Sequence, residues 1–431
     1  MLAGLADQSN VGTRVVRASS ERVRLWGAWC AAAMVCIVLP IVLPSDSAVG
    51  VLCIIGVWAA FALSYNILLG QTGLLSFGHA IFFGLGGFCA IHVMNAVAEA
   101  RLPVPLPVIP LVGGIGGLVF GILFGSLASK RGGTIFAMIS FGLGELVSSV
   151  APILNRFFGG ETGITTDRSA LYPVFGITFG PQIQVYYLIV AWCFITAGAV
   201  FFIARTPLGQ IMRAVRENPE RIEFIGCSAR KVRFLASCLA AFFAGIAGAL
   251  AAINFEIMTT SNVGANQSAM VVLMTYIGGT AYFVGPIIGA IVISLMQILL
   301  SDVTAGWQMY LGLIFVVVVM FVPGGLASLF DAYSPSARAL RSPRSLLLAI
   351  PLLLAVIGTI LVVELGYQIG LKSSEGSVRT LFGIAFDSRS VAPWLLGAAC
   401  LGAGIFGLRH GGSMTGRKDL RALRASGAQN G

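Results

Sequence analysis

The chain is poor in charge. Only 10% of its 431 residues are Asp, Glu, Lys or Arg, against about a quarter in an ordinary soluble domain. Histidine occurs three times, at His79, His92 and His410, without an HExxH pair or a Cys/His cluster. That excludes the common zinc-hydrolase pattern, and nothing builds a converging Ser–His–Asp site. The eight cysteines contain no CxxC pair, and nearly all fall in apolar runs. They read as small packing residues, neither disulfides nor metal ligands. A phosphate loop is also missing. Its nearest likeness, "GGSMTGRKDL" at 411–420, has Arg417 and Lys418 where Lys and Ser/Thr are required. Gly84, Gly86 and Gly87 lack the βαβ unit of a dinucleotide site. No cofactor, metal or catalytic residue is expected, and enzyme activity is not expected of this polypeptide alone.

What is abundant is apolar surface. The chain is 57% hydrophobic with a mean hydropathy of +0.92. Apolar runs near 20 residues recur, the length that crosses roughly 30 Å of hydrocarbon. The fold class is therefore all-α, a polytopic membrane protein of about 10–12 helices with broken or re-entrant glycine-rich segments; a transmembrane barrel would show short alternating strands. The expected spans are 28–44, 48–69, 74–97, 105–129, 134–154, 184–204, 234–255, 268–283, 285–301, 307–322, 345–365 and 391–408. The pair 268–301 reads either as two crossings or as a re-entrant hairpin. Arg14, Arg17, Arg22 and Arg24 precede the first run like a signal peptide, but no small-x-small site follows, so an uncleaved span is expected. The net charge of +10 points to loop sidedness and not to nucleic acid. This threading puts 21 of the 27 Lys and Arg on one side, which predicts that both termini are cytoplasmic.

Glycine, 54 residues in all, is placed with a pattern. Gly113, Gly117, Gly121 and Gly125 recur every four residues and make one smooth helix face, as do Ala241, Gly245 and Ala249, and Gly285 and Gly289. Such faces let another helix approach closely. "GQTGLLSFGHAIFFGLGG" (70–87) has six glycines among Gln71, Thr72, Ser76 and His79. Open backbone at membrane depth survives only against protein or water. The stretch 66–79 is expected to break a span, with two readings. It borders a translocation path, with Asn66, Gln71 and Ser76 offering hydrogen bonds, or it permits a tight helix crossing. "GGTAYFVG" (278–285) echoes it, as paired broken helices do in transporters. His79 reads as a packing residue or a ligand. Glu145, mid-span in "ISFGLGELVSS", would cost about 2.5–3.5 kcal/mol if isolated. It is expected to face the bundle interior or water and to find a partner, with His79 one candidate.

The loop 205–233 carries its own structure. Thr206 and Pro207 predict a helix start, and Leu208, Ile211, Met212 and Val215 form an amphipathic stripe. Asn218-Pro219 ends that helix and begins another, which Gly226 closes. Mixed charge, with Arg213, Arg216, Glu217, Glu220, Arg221 and Glu223, fits a protein surface; an interfacial helix on anionic lipid is the plainer alternative.

Four motifs, in order, resemble one family: "NILLGQTGLLSFGHAIFFGLGGFCA" (66–90), "RAVRENPERIEFIGCSARKVRFLASCLAAFFAGIAGAL" (213–250), "GGTAYFVGPIIGA" (278–290) and "FVPGGLASL" (321–329). They are similar to the M-type inner-membrane permease of branched-chain amino-acid ABC importers, over about residues 45–330. The resemblance implies a bacterial inner-membrane protein working with a second permease, two cytoplasmic ATP-binding subunits and a periplasmic substrate-binding protein. It implies that Arg213, Arg216, Glu217, Asn218 and Gly226 sit in the ATPase-coupling element, and it leaves urea, amides and carboxylates as alternative solutes. The alternative function is an ion-coupled secondary transporter using Glu145 and 66–79. The implied organisation is a cytoplasmic segment 1–27, a permease core 28–330, a basic linker 331–344, a two-span extension 345–408 and a basic tail 409–431. Pro219, the "ARKVRF" approach to the next span and the residues after Phe330 depart from the family pattern.

Overall fold

A computed structural model describes residues 26–173, 176, 178–224, 226–301, 307–322 and 324–330. It also describes short pieces at 358, 378–381, 384–387, 394–395, 398–399 and 402–403. The expected linker 331–344 and tail 409–431, almost all of 345–408, and residues 1–25 lie outside the described residues.

The chain divides into two compact units, Met1–Ala269 and Met270–Gly431. The first unit is helical. It runs through α1 (Trp26–Val42), α2 (Asp46–Asn66), α3 (Ala80–Ala100), α4 (Ile109–Ala128), α5 (Thr134–Val150), the short α6 (Asn155–Phe158) and α7 (Gln182–Arg205). Outside the bundle follow α8 (Pro207–Glu217) and α9 (Pro219–Phe224), then α10 (Ala229–Phe255), and α11 (Ala265–Gly278) carries the chain out of the unit. Five of these helices are long and apolar enough to cross a membrane, and the protein is a multi-pass membrane protein.

Helices α10 and α3 are the most buried of the five. Small residues explain why. A Cβ on Gly248 would land on the Phe83 carbonyl, and one on Gly86 would land on Gly245. Helix α4 lies along α10 through its four-residue glycine repeat. Gly113 meets Gly245 and Ala249, Gly117 meets Ala241 and Gly245, Gly121 meets Ala241, and Gly125 meets Ser237. The opposite face of α4 exposes Leu111, Ile115, Val119, Ile122 and Leu127, as a lipid-facing stripe does. Helix α2 packs between α7 and α10. Helix α1 lies along α7, with the Tyr186 hydroxyl donating to the Cys36 carbonyl at 2.7 Å and Trp29 against Phe194 and Phe201.

In the second unit, α12 (Gly285–Ser301) packs with α13 (Trp307–Phe321), and α14 (Ala327–Phe330) follows. The 278–285 interruption is a helix break: Gly279 has φ +111° and Gly325 lies against it. The Leu326 N–H donates to the Ile277 carbonyl at 2.8 Å. A β-hairpin pairs Val378–Leu381 with Ile384–Asp387.

Candidate functional site

The interruption after α2 has a defined architecture. The helix continues past Asn66 as a π-helical turn, Ile67–Thr72, and ends on Gly73 in the left-handed region at φ +68°. The span with its turn is 27 residues long, roughly 40 Å at 1.5 Å per residue. That exceeds the hydrocarbon thickness of roughly 30 Å, so the break sits at one end of the span. Gly73 and Leu74 close the turn through the Leu69 and Leu68 carbonyls. Helix α3 starts at Ala80, six residues later than the expected span start at 74. The delay has a cause. The amides of the intervening segment bond to hydroxyls of other elements. Ser76 N–H donates to Tyr65 Oη at 3.1 Å, Phe77 N–H to Ser140 Oγ at 3.2 Å, and Ala80 N–H to Ser268 Oγ at 3.0 Å. Three hydroxyls thus satisfy three amides that lipid would leave unmet.

His79 closes the break from within. It is fully buried, stacked on Phe61 at a centroid distance of 5.4 Å, with Tyr65 and Phe82 edge-on. The Ser64 hydroxyl donates to the Phe61 carbonyl at 2.6 Å, so its proton is committed. At 3.0 Å from Ser64 Oγ, His79 Nε2 must then be the donor. The network assigns the neutral Nε2–H tautomer and leaves Nδ1 as a buried lone pair without a partner among the described residues. A proton on Nδ1 would face no acceptor among the described residues. His79 therefore serves as a neutral packing and bonding residue in this conformation.

The structure sorts the other sequence candidates. Asn66 and Ser76 are buried, and Asn66 Oδ1 has no hydrogen-bond partner among the described residues. Gln71 is half-buried and turned toward α8. The cavity beside Ser76, Gly78 and Ser140 has a volume of about 20 Å³, enough for one water and far too small for an amino acid. Glu145 is exposed and makes no hydrogen bond or ion pair among the described residues, and the pairing with His79 is not made. It lies on the face of α5 that also exposes Met138, Phe141, Leu146 and Ser149. The buried face of the same helix meets the break, since a Cβ on Gly78 would strike the Ser140 carbonyl and one on Gly144 would lie 3.3 Å from Gly78 Cα.

Helices α8 and α9 form a bracket against the body at the end of α7. The Thr206 hydroxyl accepts from Gly209 N–H, with Pro207 at the first helical position. Met212, Val215 and Ile222 are buried, while Glu217, Glu220, Arg221 and Glu223 are exposed. Asn218 terminates α8, and its Oδ1 accepts the Arg221 N–H at 3.1 Å. Gly226, at φ +83°, reverses the chain after α9. Phe224 is 90% exposed at the end of α9. Arg213 and Arg216 are exposed but bond back to the body: Arg216 Nη1 donates to the Gly70 carbonyl at 2.6 Å, and Arg213 Nη1 donates to Gln71 Oε1 at 2.9 Å and the Ala204 carbonyl at 2.8 Å.

At the far end of α10 a second polar knot fixes the loop 159–181. Glu256 takes the left-handed region at φ +55° and ends α10. Its carboxylate accepts the Arg168 N–H at 3.1 Å and lies 3.7 Å from the Arg168 guanidinium. That guanidinium also donates to the carbonyls of Ile253, Asn254 and Gly180 and to Gln182 Oε1. Beside it, the Ser169 hydroxyl and N–H hold the Asp167 carboxyl below the usual range. Strand pairing of Ile164–Thr165 with Ile257–Met258 completes the cap.

Sequence reasoning missed Tyr65, Ser140, Ser268, Ser64 and Arg168. All five bond across at least 11 residues, and single hydroxyls in apolar runs give no periodic signal.

Comparison with known proteins agrees with this architecture. The family model described as "Branched-chain amino acid transport system / permease component" matches residues 47–323. The chain is 24% identical over 291 residues to the "High-affinity branched-chain amino acid transport system permease protein LivM" of Escherichia coli K12, covering 63% of this chain and 67% of that one. The Salmonella typhimurium LivM protein is 23% identical with the same coverage. A "Probable branched-chain amino acid transport permease protein LivM" of Methanocaldococcus jannaschii is 25% identical over 284 residues, 57% of this chain and 79% of that one. No solved structure matches. With the family model spanning more than half of its length, the chain belongs to the branched-chain amino acid transport permease family and is a transporter subunit, not an enzyme.

Proposed function

We propose that this permease lines one side of an ATP-driven import path for branched-chain amino acids in the bacterial cytoplasmic membrane, with both termini inside. A second permease, two ATP-binding subunits and a periplasmic binding protein complete the machine. The observation that carries this reading is the α8–α9 bracket. Met212, Val215 and Ile222 are buried against the body and Leu208 and Ile211 are half-buried, so little of its apolar stripe is left for lipid. What is exposed is Phe224 among Glu217, Glu220, Arg221 and Glu223, with Arg213 and Arg216 exposed beside the body. A lone exposed aromatic in a rim of mixed charge suits a protein cleft; a lipid-bound helix would be basic and keep its apolar face free.

The path itself runs along the outer face of α5. An unpaired carboxylate against lipid costs about 2.5–3.5 kcal/mol, so Glu145 belongs against protein or water. The second permease covers this face, and Glu145 meets the ammonium group of the passing amino acid. Buried Asn66, Ser76 and His79 shape the break that supports α5.

The test is assembly. Co-expressed with its ATP-binding subunits, the chain should retain them through detergent purification, and Phe224→Asp should lose them while the permease still folds. Full retention by Phe224→Asp, and by a further variant reversing Glu220 and Glu223, would contradict the reading.

A further inference from the structure

We propose that Arg216 and Arg213 are positioning residues that tie the outer bracket to the membrane break, so that a pull on α8 moves α5 through the segment 70–79. The proposal rests on α8–α9 being the ATPase contact, and goes beyond it by naming how that motion enters the membrane.

The first contact is a cap. The π-turn ends at Thr72 and leaves its last carbonyls without helical donors. The Gly70 carbonyl receives Arg216 Nη1 at 2.6 Å. A positive charge at a helix C-terminus also meets the negative end of the helix dipole. The stem of Arg216 crosses directly over Gly73, where an added Cβ would lie 2.8 Å from Arg216 Cγ. Gly73 is thus constrained twice, by its left-handed backbone and by the arginine above it. Arg213 adds a second strand to the tie, bridging the Ala204 carbonyl at the end of α7 to the Gln71 side chain.

The second contact lies at the other end of the segment. Phe77 N–H bonds Ser140 Oγ, which itself donates to Ala137 within α5 at 2.9 Å. Gly78 and Gly144 place backbone against backbone at the same crossing. At Gly78 the segment and α5 touch backbone to backbone, and close-packed backbones transmit strain. Five residues on from Ser140, α5 carries Glu145 on its exposed face.

The element between the two contacts is suited to move. A π-turn is a strained, uncommon geometry that often marks functional sites. Residues 73–80 make few hydrogen bonds of their own and borrow hydroxyls from Tyr65, Ser140 and Ser268. Exchanging those partners is a change between discrete arrangements, as a transmitted switch requires. Two charge-assisted bonds to this turn therefore place the outer bracket in control of it.

The experiment uses the assembled transporter in liposomes. Amide hydrogen exchange over 67–79 should respond to ATP binding in the unmodified complex. Arg216→Ala should abolish that response and lower the amount of solute moved per ATP hydrolysed by about tenfold, the scale of one lost charge-assisted bond. Arg216→Lys should restore part of it, because an ammonium can still reach one carbonyl. Gln71→Leu, which removes the acceptor of Arg213 while leaving α8 intact, gives an independent reading and should lower the same ratio. An unchanged ratio in both Arg216→Ala and Gln71→Leu, or an ATP response at 67–79 that survives them, overturns the proposal. Retention of the ATP-binding subunits by these variants, against their loss in Phe224→Asp, separates failure of this link from failure of the docking surface.

Discussion

Replacing one glycine at a time along α4 and α7 should give a graded stability series. Gly117 is the severe case. An added Cβ would fall on the Ala241 carbonyl and lie 2.9 Å from Gly245 Cα and 3.1 Å from Gly245 N. All three obstacles are backbone, so only separation of α4 from α10 relieves them. Gly125 is intermediate, because its Cβ would meet Ser237 Cβ at 3.3 Å, a side chain that can yield. Gly198 in α7 has nothing within 4 Å. Alanine gains about 1 kcal/mol over glycine in a helix interior, and overpacking costs about 1–3 kcal/mol. Gly198→Ala should therefore gain up to about 1 kcal/mol, Gly125→Ala should stay near neutral, and Gly117→Ala should lose about 2 kcal/mol. The assay is SDS-titrated unfolding of the purified permease in mixed micelles, followed by tryptophan fluorescence. Equal midpoints for Gly117→Ala and Gly198→Ala would refute the claim that α4 and α10 meet backbone to backbone.

Other expected outcomes follow from the same geometry. His79→Ala removes a stacked ring and leaves Ser64 Oγ without its donor, and should cost about 2–4 kcal/mol in that unfolding assay. His79→Gln, which can still donate to Ser64, should recover part of the loss. Arg168→Ala deletes the pair with Glu256 and the bonds to 180, 182, 253 and 254. Limited proteolysis should then cut within 159–181 at least about tenfold faster, as loss of 1.4 kcal/mol or more in local closing requires. Glu145→Gln should reduce uptake by the assembled transporter while membrane insertion is unchanged; equal losses of both would make Glu145 structural.

Much of the first unit was legible from residue order. Helices α2, α4, α7 and α10 begin and end within a few residues of the expected spans, because length and apolarity alone mark a crossing. The α8 stripe was legible as well, since it lies outside lipid and its polar face contrasts with its apolar one. Within the bilayer that contrast vanishes, for core and lipid are equally apolar, and only small residues betray the packed side. That is why the Gly113–Gly125 repeat could be read, while the exposed direction of Glu145 on α5 could not. The π-turn at 67–72 has no compositional mark beyond Gly70 and Gly73. The ties of Arg213 and Arg216 to Gln71 and Gly70 span 142 and 146 residues. Nothing in the charge pattern of α8 and α9 distinguishes those two arginines, which bond the body, from Arg221, whose side chain has no such bond among the described residues.

The central claim is that solute crosses this permease only when an ATP-driven partner acts on it. Uptake of labelled leucine into proteoliposomes measures this directly, using the permease pair and binding protein with or without the ATP-binding subunits. ATP-dependent uptake that disappears when those subunits are omitted is the predicted result. Uptake by this chain alone, driven by a proton or sodium gradient, would contradict it.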